Sequence, residues 1–385
     1  MKKFWLNESE CTACGACANI CPKNVITMVE DKYGFAYPSI SLSCIDCDMC
    51  ENVCHNRLKD SLNNSRRPTT LAAWTKNEET RFKSTSGGAF TEFASNILKN
   101  NGIVVGAQYD SNNEVEHVLI EKLIDLDKIR QSKYTQSKIG KIYKDIKREL
   151  VSGRIVGFCG APCQVAGLYA YLGKEFDNLY TFDFICRGMN SPKAYRSWLD
   201  EIERKNGGKI KKVWFKYKED GWKNSPTCTR IDFHDGKVLV QKKNDNLYMT
   251  GYLGPNLYIR PSCGDCKFKG IPRKGDITLA DFWGLDKNFD DDKGVSLLLI
   301  NNIKGQQLWN KVKDEMVFYE RDFDEIFKGN ICFHSSVNIN KNSKKFLASL
   351  DAANFSESIK EYTKVSFIRK IGSVIKYKIL GKSGK

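Results

Sequence analysis

Eight cysteines near the start of the chain repeat one spacing twice. Cys11, Cys14, Cys17 and Cys21, then Cys44, Cys47, Cys50 and Cys54, each read C-x-x-C-x-x-C-x-x-x-C. Thiols this dense serve one of three chemistries: a disulfide staple, a zinc site or an iron–sulfur cluster. The opening "MKKFWLNESEC" carries no apolar h-region and no small-residue cleavage site, so no signal peptide is read and a cytoplasmic location is expected. Stable disulfides are uncommon there. Zinc sites use two C-x-x-C knuckles or a Cys/His mixture, not three cysteines at successive threes plus a remote fourth. The repeated spacing points to iron and sulfur.

The run resembles that of bacterial two-cluster ferredoxins, in which the fourth cysteine of each half ligates the other cluster. The resemblance implies one 4Fe–4S cluster on Cys11, Cys14, Cys17 and Cys54, and a second on Cys21, Cys44, Cys47 and Cys50. Small residues such as Gly15 and Ala16 let backbone amides approach the sulfurs. One departure is His55, which follows Cys54 where the pattern has proline.

These thiols need elements to hold them. Between the two halves, "VITMVEDKYGFAYPSI" predicts a hairpin turning at Glu30–Gly34. "NRLKDSLNNSRRPTT" lacks periodicity and reads as a linker. From Leu71 the pattern alternates. "LAAWT" predicts a strand, Ala89–Asn100 a helix with Gly102 at its C-cap, and "IVVGAQYD" and "VEHVLIEK" two strands about a turn. A long helix is expected over roughly Leu126–Leu150, ending at Gly153, followed by strand "RIVGF", helix "QVAGLYAYL", strand "LYTFDFI" and a helix opened by Ser191 and Pro192. Strand-like segments dominate through Lys243, and "GVSLLLI" predicts a buried strand. The expected fold is α+β or α/β: a two-cluster ferredoxin-like module at 1–56, a linker at 57–70, a mixed α/β domain at 71–335 and a basic helical tail at 336–385.

Downstream, "STSGGAFTEFASNILKNNGIVVGAQYD", "SKYTQSKIGKIYKDIK", "GFCGAPCQVAGL", "FICRGMNSPKAY", "CGDC" and "DITLADFWG" follow one another. In this order they resemble the coenzyme F-420 hydrogenase/dehydrogenase beta-subunit family over roughly Leu71–Ile300. The resemblance implies an FAD-binding α/β domain, commonly with an iron–sulfur cluster. By itself Ser84–Gly88 reads as an ordinary glycine turn capping a helix; the resemblance implies that Ser86, Gly87 and Gly88 hold a flavin phosphate. Lys133, Gln136 and Ser137 lie in a family-like stretch and are candidates for flavin or substrate contacts, against an exposed lysine-rich helix face. Asp276, Thr278, Asp281 and Trp283 are similar candidates, the tryptophan serving equally well as core. Cys163, Cys186, Cys263 and Cys266 sit on the family's cysteine-bearing motifs and are expected to hold a third 4Fe–4S cluster, with Cys159 able to replace Cys163. Cys228 and Cys332 fall off those motifs and read as small buried hydrophobes. His117, His234 and His334 read as structural.

The formal charge of +15 invites a nucleic-acid reading, but an oxidised 4Fe–4S cluster with its four thiolates carries about −2. Outside the tail the lysines are scattered, so no nucleic-acid partner is expected. In "KVSFIRKIGSVIKYKIL" apolar residues recur at helical spacing among basic ones, which suits peripheral contact with anionic lipid, a helix docked on its own domain, or a frayed tail. Taken together, the expected protein is an iron–sulfur flavoprotein oxidoreductase. Reduced ferredoxin or another electron carrier loads the clusters, and FAD delivers the electrons to a small-molecule or lipid-linked substrate, in polysaccharide biosynthesis or elsewhere. Its rivals are a coenzyme F-420-dependent subunit, an electron relay without its own substrate, and a basic nucleic-acid binder. No residue stands out as a catalytic acid.

Overall fold

The structure, a computed structural model, describes residues 6–57, 64 and 67–363. Most of the stretch read as a linker and the amphipathic segment 364–385 lie outside the described residues. The strands, in chain order, are β1 (Ile26–Glu30), β2 (Ala36–Ile40), β3 (Thr69–Thr75), β4 (Ile103–Tyr109), β5 (Val115–Ile120), β6 (Val156–Cys159), β7 (Leu179–Phe184), β8 (Ile210–Phe215), β9 (Thr229–Phe233), β10 (Val238–Gln241), β11 (Ile277–Asp281), β12 (Ser296–Ile300) and β13 (Met316–Glu320). β1 and β2 form the expected hairpin of the cysteine-rich module.

Eight strands make one sheet in the order β13-β3-β12-β11-β7-β6-β4-β5. Its middle, β4, β6, β7 and β11, is parallel, and every flanking pair is antiparallel. "SLLLI" of β12 is buried along its whole length, as a strand covered on both faces must be. Helices Ala89–Lys99 and Ile303–Val312 cover one face through Phe93, Ile97, Leu308 and Trp309. Helices Ile142–Val151 and Pro162–Leu172 cover the other through Ile146, Val165 and Leu168, and Cys14 and Ala16 of the module join that same core. Each such large side chain contributes about 1.5–3 kcal/mol on burial. The mixed α/β class is as expected.

The smaller sheet β10-β9-β8 packs against helix Pro192–Asn206. Helices Ser343–Ser349 and Phe355–Thr363, within the stretch read as basic tail, add Phe346, Leu347, Phe355 and Ile359 to that core. Among the described residues no helix is long and apolar enough to cross a membrane.

One expected element is corrected. The long helix over Leu126–Leu150 is instead two, Leu126–Ile129 and Ile142–Val151. Gln131 at φ 72° and Gly140 at φ 56° interrupt it, and between them Lys138 pairs with β5, bridged to Glu116. Apolar spacing could not show that this stretch has sheet and cavity partners instead of a helix face.

Candidate functional site

All fifteen cysteines are free thiols. In the module, Cys11, Cys14 and Cys54 are buried and Cys17 is half-buried. They are close enough for their charges to interact. Burial pushes the Cys14 thiol up to about 12, and Cys17 rises for the same reason. The other set, Cys21, Cys44, Cys47 and Cys50, lines a small cavity whose Cys47 faces solvent. Among the described residues no three His, Cys, Asp or Glu side chains could hold a single metal ion. Four thiols about one cavity suit a cubane whose four irons, at alternate corners, each take one thiolate. Four soft thiols, which give up their protons when iron binds, form a donor set that fits a cluster.

A second cavity, about 420 Å³, is lined by Cys163, Cys186, Cys263, Cys266 and Cys332. The sheet explains how residues so far apart in sequence meet. β6 and β7 are adjacent and parallel, with Cys159 opposite Phe182. Cys163, in the first turn of helix Pro162–Leu172, and Cys186, two residues beyond β7, therefore emerge at the same sheet edge, where ligands of such sheets bind. The loop with Cys263 and Cys266 is tied down by Met189 N–H to Cys263 Sγ (3.4 Å) and Cys266 N–H to Ser336 Oγ (2.9 Å). Lys269 Nζ donates to the carbonyls of Cys186 (2.7 Å) and Cys332 (2.9 Å). Burial pushes Cys186 up to about 12, its cysteine neighbours adding to this and the Lys269 cation opposing it. Cys159 does not join: it lines a different cavity.

Arg260 binds the module to this site. Wholly buried, it donates to the carbonyls of Cys11 (2.8 Å) and Ala36 (3.0 Å) and to Gln136 Oε1 (3.0 Å), and lies over the Tyr37 ring. His55, in the place of the pattern's proline, hydrogen-bonds with Thr12 Oγ1 (2.8 Å) and meets Phe268 edge-on.

The third cavity, about 470 Å³, opens along the C-terminal ends of the parallel strands. Ser86, Gly88, Lys133, Ser137, Asp281 and Trp283 line it. Gly88 (φ 89°) precedes helix Ala89–Lys99, whose N-terminus has no side-chain cap. A Cβ on Gly88 would stand 2.7 Å from Thr75 Cγ2. Gly87 is packed still tighter, and its N–H is taken by Ser296 Oγ (2.9 Å). The Ser86 hydroxyl donates to Val295 O and its carbonyl accepts from Lys218 Nζ, both at short range. That leaves Gly88 and the helix end, not Ser86 or Gly87, as the groups suited to an anion. Lys218 is buried, which lowers its pKa to about 7. Lys133 Nζ donates to the carbonyls of Lys128, Arg130 and Gln131, and burial lowers its pKa to about 7 as well. Asp281 pairs with Lys216, and Trp283 stacks on Trp222 at 4.2 Å.

Three expected residues stand elsewhere. Gln136 holds Arg260 and Thr12 at the module boundary. Asp276 accepts from Thr181 N–H (2.7 Å) and Asn302 Nδ2 (2.7 Å), and Thr278 Oγ1 donates to Asp183 (2.6 Å); both are buried beneath the sheet edge. Sequence reasoning also missed residues. On the wall of the third cavity Thr91 Oγ1, His117 Nδ1, Arg130 Nε and Arg187 Nε are buried without partners. His117 Nε2 lies 3.1 Å from Cys159 O and donates to it, so Nδ1 carries the lone pair; burial lowers the pKa to about 4 and keeps the ring neutral. Such orphaned groups and an uncapped helix end fit a large polar ligand. Cys186, Arg187, Gly188, Met189 and Cys332 line both the second and third cavities, so a single wall divides them.

Family models match most of the chain. The coenzyme F420 hydrogenase/dehydrogenase beta subunit N-terminal model matches residues 70–144, the corresponding C-terminal model matches 153–326, and a 4Fe-4S dicluster domain matches 10–58. No match is found among curated proteins. Among solved structures, the F420-reducing NiFe hydrogenase complex from Methanosarcina barkeri, in a xenon-derivatised form, is similar at 19% identity, covering 79% of this chain and 94% of that one with a TM-score of 0.45. With its N- and C-terminal models both present and in order, the chain belongs to the coenzyme F420 hydrogenase/dehydrogenase beta-subunit family, with a 4Fe–4S dicluster domain in front.

Proposed function

We propose that the protein is an iron–sulfur flavoprotein oxidoreductase in which electrons pass from the N-terminal clusters, through a third cluster on Cys163, Cys186, Cys263 and Cys266, to FAD in the adjoining cavity. The wall common to the second and third cavities is the observation that carries this reading. Gly88 and the end of helix Ala89–Lys99 would hold the flavin's phosphates, with Arg130, His117 and Arg187 offering polar contacts to the rest. A flavin takes electrons singly and releases them as a pair, which is the chemistry that joins iron–sulfur clusters to an organic substrate. The chain supplies the binding wall. A ferredoxin unit at 1–56 and a flavin unit at 71–335 remain the proposed division of labour, and a small-molecule or lipid-linked substrate of polysaccharide biosynthesis the proposed target. The family's name supports a second reading, in which coenzyme F420 is the organic partner.

Anaerobic purification and reconstitution should give about twelve irons per chain and one bound flavin. A reduced one-electron carrier and reduced coenzyme F420, offered in turn, separate the two readings by turnover. Gly88→Val should lower flavin content and leave the N-terminal clusters intact, because the new methyls meet Thr75. A folded Gly88→Val protein with full flavin removes this loop from the site, and a wild type without flavin overturns the flavoprotein reading.

A further inference from the structure

The second half of the cysteine motif contains the loop Ile45-Asp46-Cys47-Asp48-Met49, and all five residues are exposed. Leu42 keeps 88% of its surface in solvent, and Ile45 and Met49, which also wall the cavity of Cys21, Cys44, Cys47 and Cys50, keep 55% and 41%. Single exposed apolar residues are ordinary; three so close in sequence to one exposed cysteine mark a contact surface. The surrounding charge is negative. Asp46 and Asp48 flank Cys47, and from Asn7 to Arg57 seven acids stand against three bases, in a chain whose total is +15. Clusters add further negative charge to the module. The first half of the motif points the other way, with Cys14 and Ala16 in the core of the α/β domain.

Resting on the electron-transfer reading above, we infer that this loop is a docking port for an external redox protein whose contact face is apolar at its centre and basic at its rim. The apolar trio supplies the dry centre, the aspartates the steering charge, and Cys47 the shortest way from the surface to the outer cluster. One electron crosses from the partner's reduced centre to that cluster or back, and no bond is made or broken. The order of travel is then outer cluster, inner cluster, third cluster, cavity. An acidic carrier meets like charge at this port and is disfavoured.

The test uses the full chain, anaerobically reconstituted and reduced, with three oxidants: ferricytochrome c as a basic redox protein, oxidised plastocyanin as an acidic one, and benzoquinone as a small neutral one. Oxidation by cytochrome c should be faster than by plastocyanin at low salt and should fall about tenfold in 0.5 M salt. Asp46→Asn/Asp48→Asn should lose about the same factor with cytochrome c and none with benzoquinone. Leu42→Ser, on the open surface, should slow cytochrome c without touching iron content. Intact clusters that react with both proteins at equal, salt-independent rates overturn the port and leave the electron-transfer reading standing. A chain that takes up no iron overturns that reading itself. Sedimentation showing a dimer that Leu42→Lys dissociates would assign the face to a second copy, and overturn the proposal too.

Discussion

The two halves of the cysteine motif share spacing and backbone, yet face opposite ways. Each loop turns left-handed at its third and fifth positions: Ala13 (φ 54°) and Gly15 (φ 76°) in one, Asp46 (φ 52°) and Asp48 (φ 55°) in the other. These turns bend the chain around a cluster, and aspartate tolerates them better than most side chains. What differs is what lies outside. A Cβ on Gly15 would stand 3.1 Å from Ile139, whereas Asp48 carries its side chain freely into solvent. Cys14 sits so near helix Pro162–Leu172 that a Cβ on Gly167 would come within 2.8 Å of its own Cβ. The thiol spacing selects the cofactor. The residues between the thiols select which surface that cofactor faces.

The sharpest way to break the comparison is to remove what the inner half faces. Cys263→Ala/Cys266→Ala should cost about four of twelve irons and leave the ferredoxin signals intact. Electrons loaded onto the module should then reach the cavity slowly or not at all. Paramagnetic resonance and iron analysis read the first outcome, stopped-flow the second. A double variant that keeps its full iron complement would show that no third cluster exists there.

The next largest effect is expected at Arg260, which clamps the inner half. Arg260→Met would remove the donor from the buried Cys11 carbonyl and Gln136 amide oxygen and from the half-buried Ala36 carbonyl, costing about 4 kcal/mol. Thermal unfolding should move by several degrees, and proteolysis near the module should quicken. An unchanged melting temperature would mean that the module is held by other contacts.

Exchanging the fifth residues tests the two loops directly. Gly15→Asp places the outer loop's residue against Ile139 and buries a carboxylate without a partner, at about 2–3 kcal/mol. Asp48→Gly should stay within about 0.5 kcal/mol, as surface changes do. Equal costs for the two would deny that the inner loop is packed and the outer one free.

Sequence carried the two ends of this comparison unequally. The eight module cysteines were legible because all of them lie between Cys11 and Cys54, where local spacing encodes shape. The third set was legible only through motif resemblance, and the choice of Cys163 over Cys159 needed the strand: Cys159 closes β6 and turns to the other cavity, and Cys163 lies in the first turn of the helix that follows. Cys332 has no near cysteine in sequence, so nothing local marked it as a neighbour of Cys186. Asp276 and Thr278 show the opposite failure. Their motif drew attention, but the side chains are consumed by Thr181, Asn302 and Asp183 beneath the sheet edge. A motif names residues; only the strand's register says which of them reach the cavity.

His55 offers the smallest and most discriminating test, because it is the one place where the second half departs from the ferredoxin pattern. A proline after Cys54 would end the module without a side-chain donor or acceptor. His55 instead meets Thr12 Oγ1 at 2.8 Å in the inner loop and the Phe268 ring at 5.0 Å beside the Cys263–Cys266 loop. It therefore touches two cysteine loops at once, one from each side of the boundary. Removing the hydrogen bond and the edge-on ring contact with His55→Ala should cost about 1 kcal/mol, visible as a small drop in melting temperature with iron content unchanged. If the histidine merely fills the place of a proline, Thr12→Val/His55→Ala should cost the sum of the single changes. If it couples the two loops as the geometry indicates, the double change should cost less than that sum by about 0.5 kcal/mol or more. The same cycle run on Phe268→Ala separates the ring contact from the hydrogen bond. Additivity in both cycles would return His55 to the role of an ordinary surface residue and leave Arg260 as the clamp at this boundary.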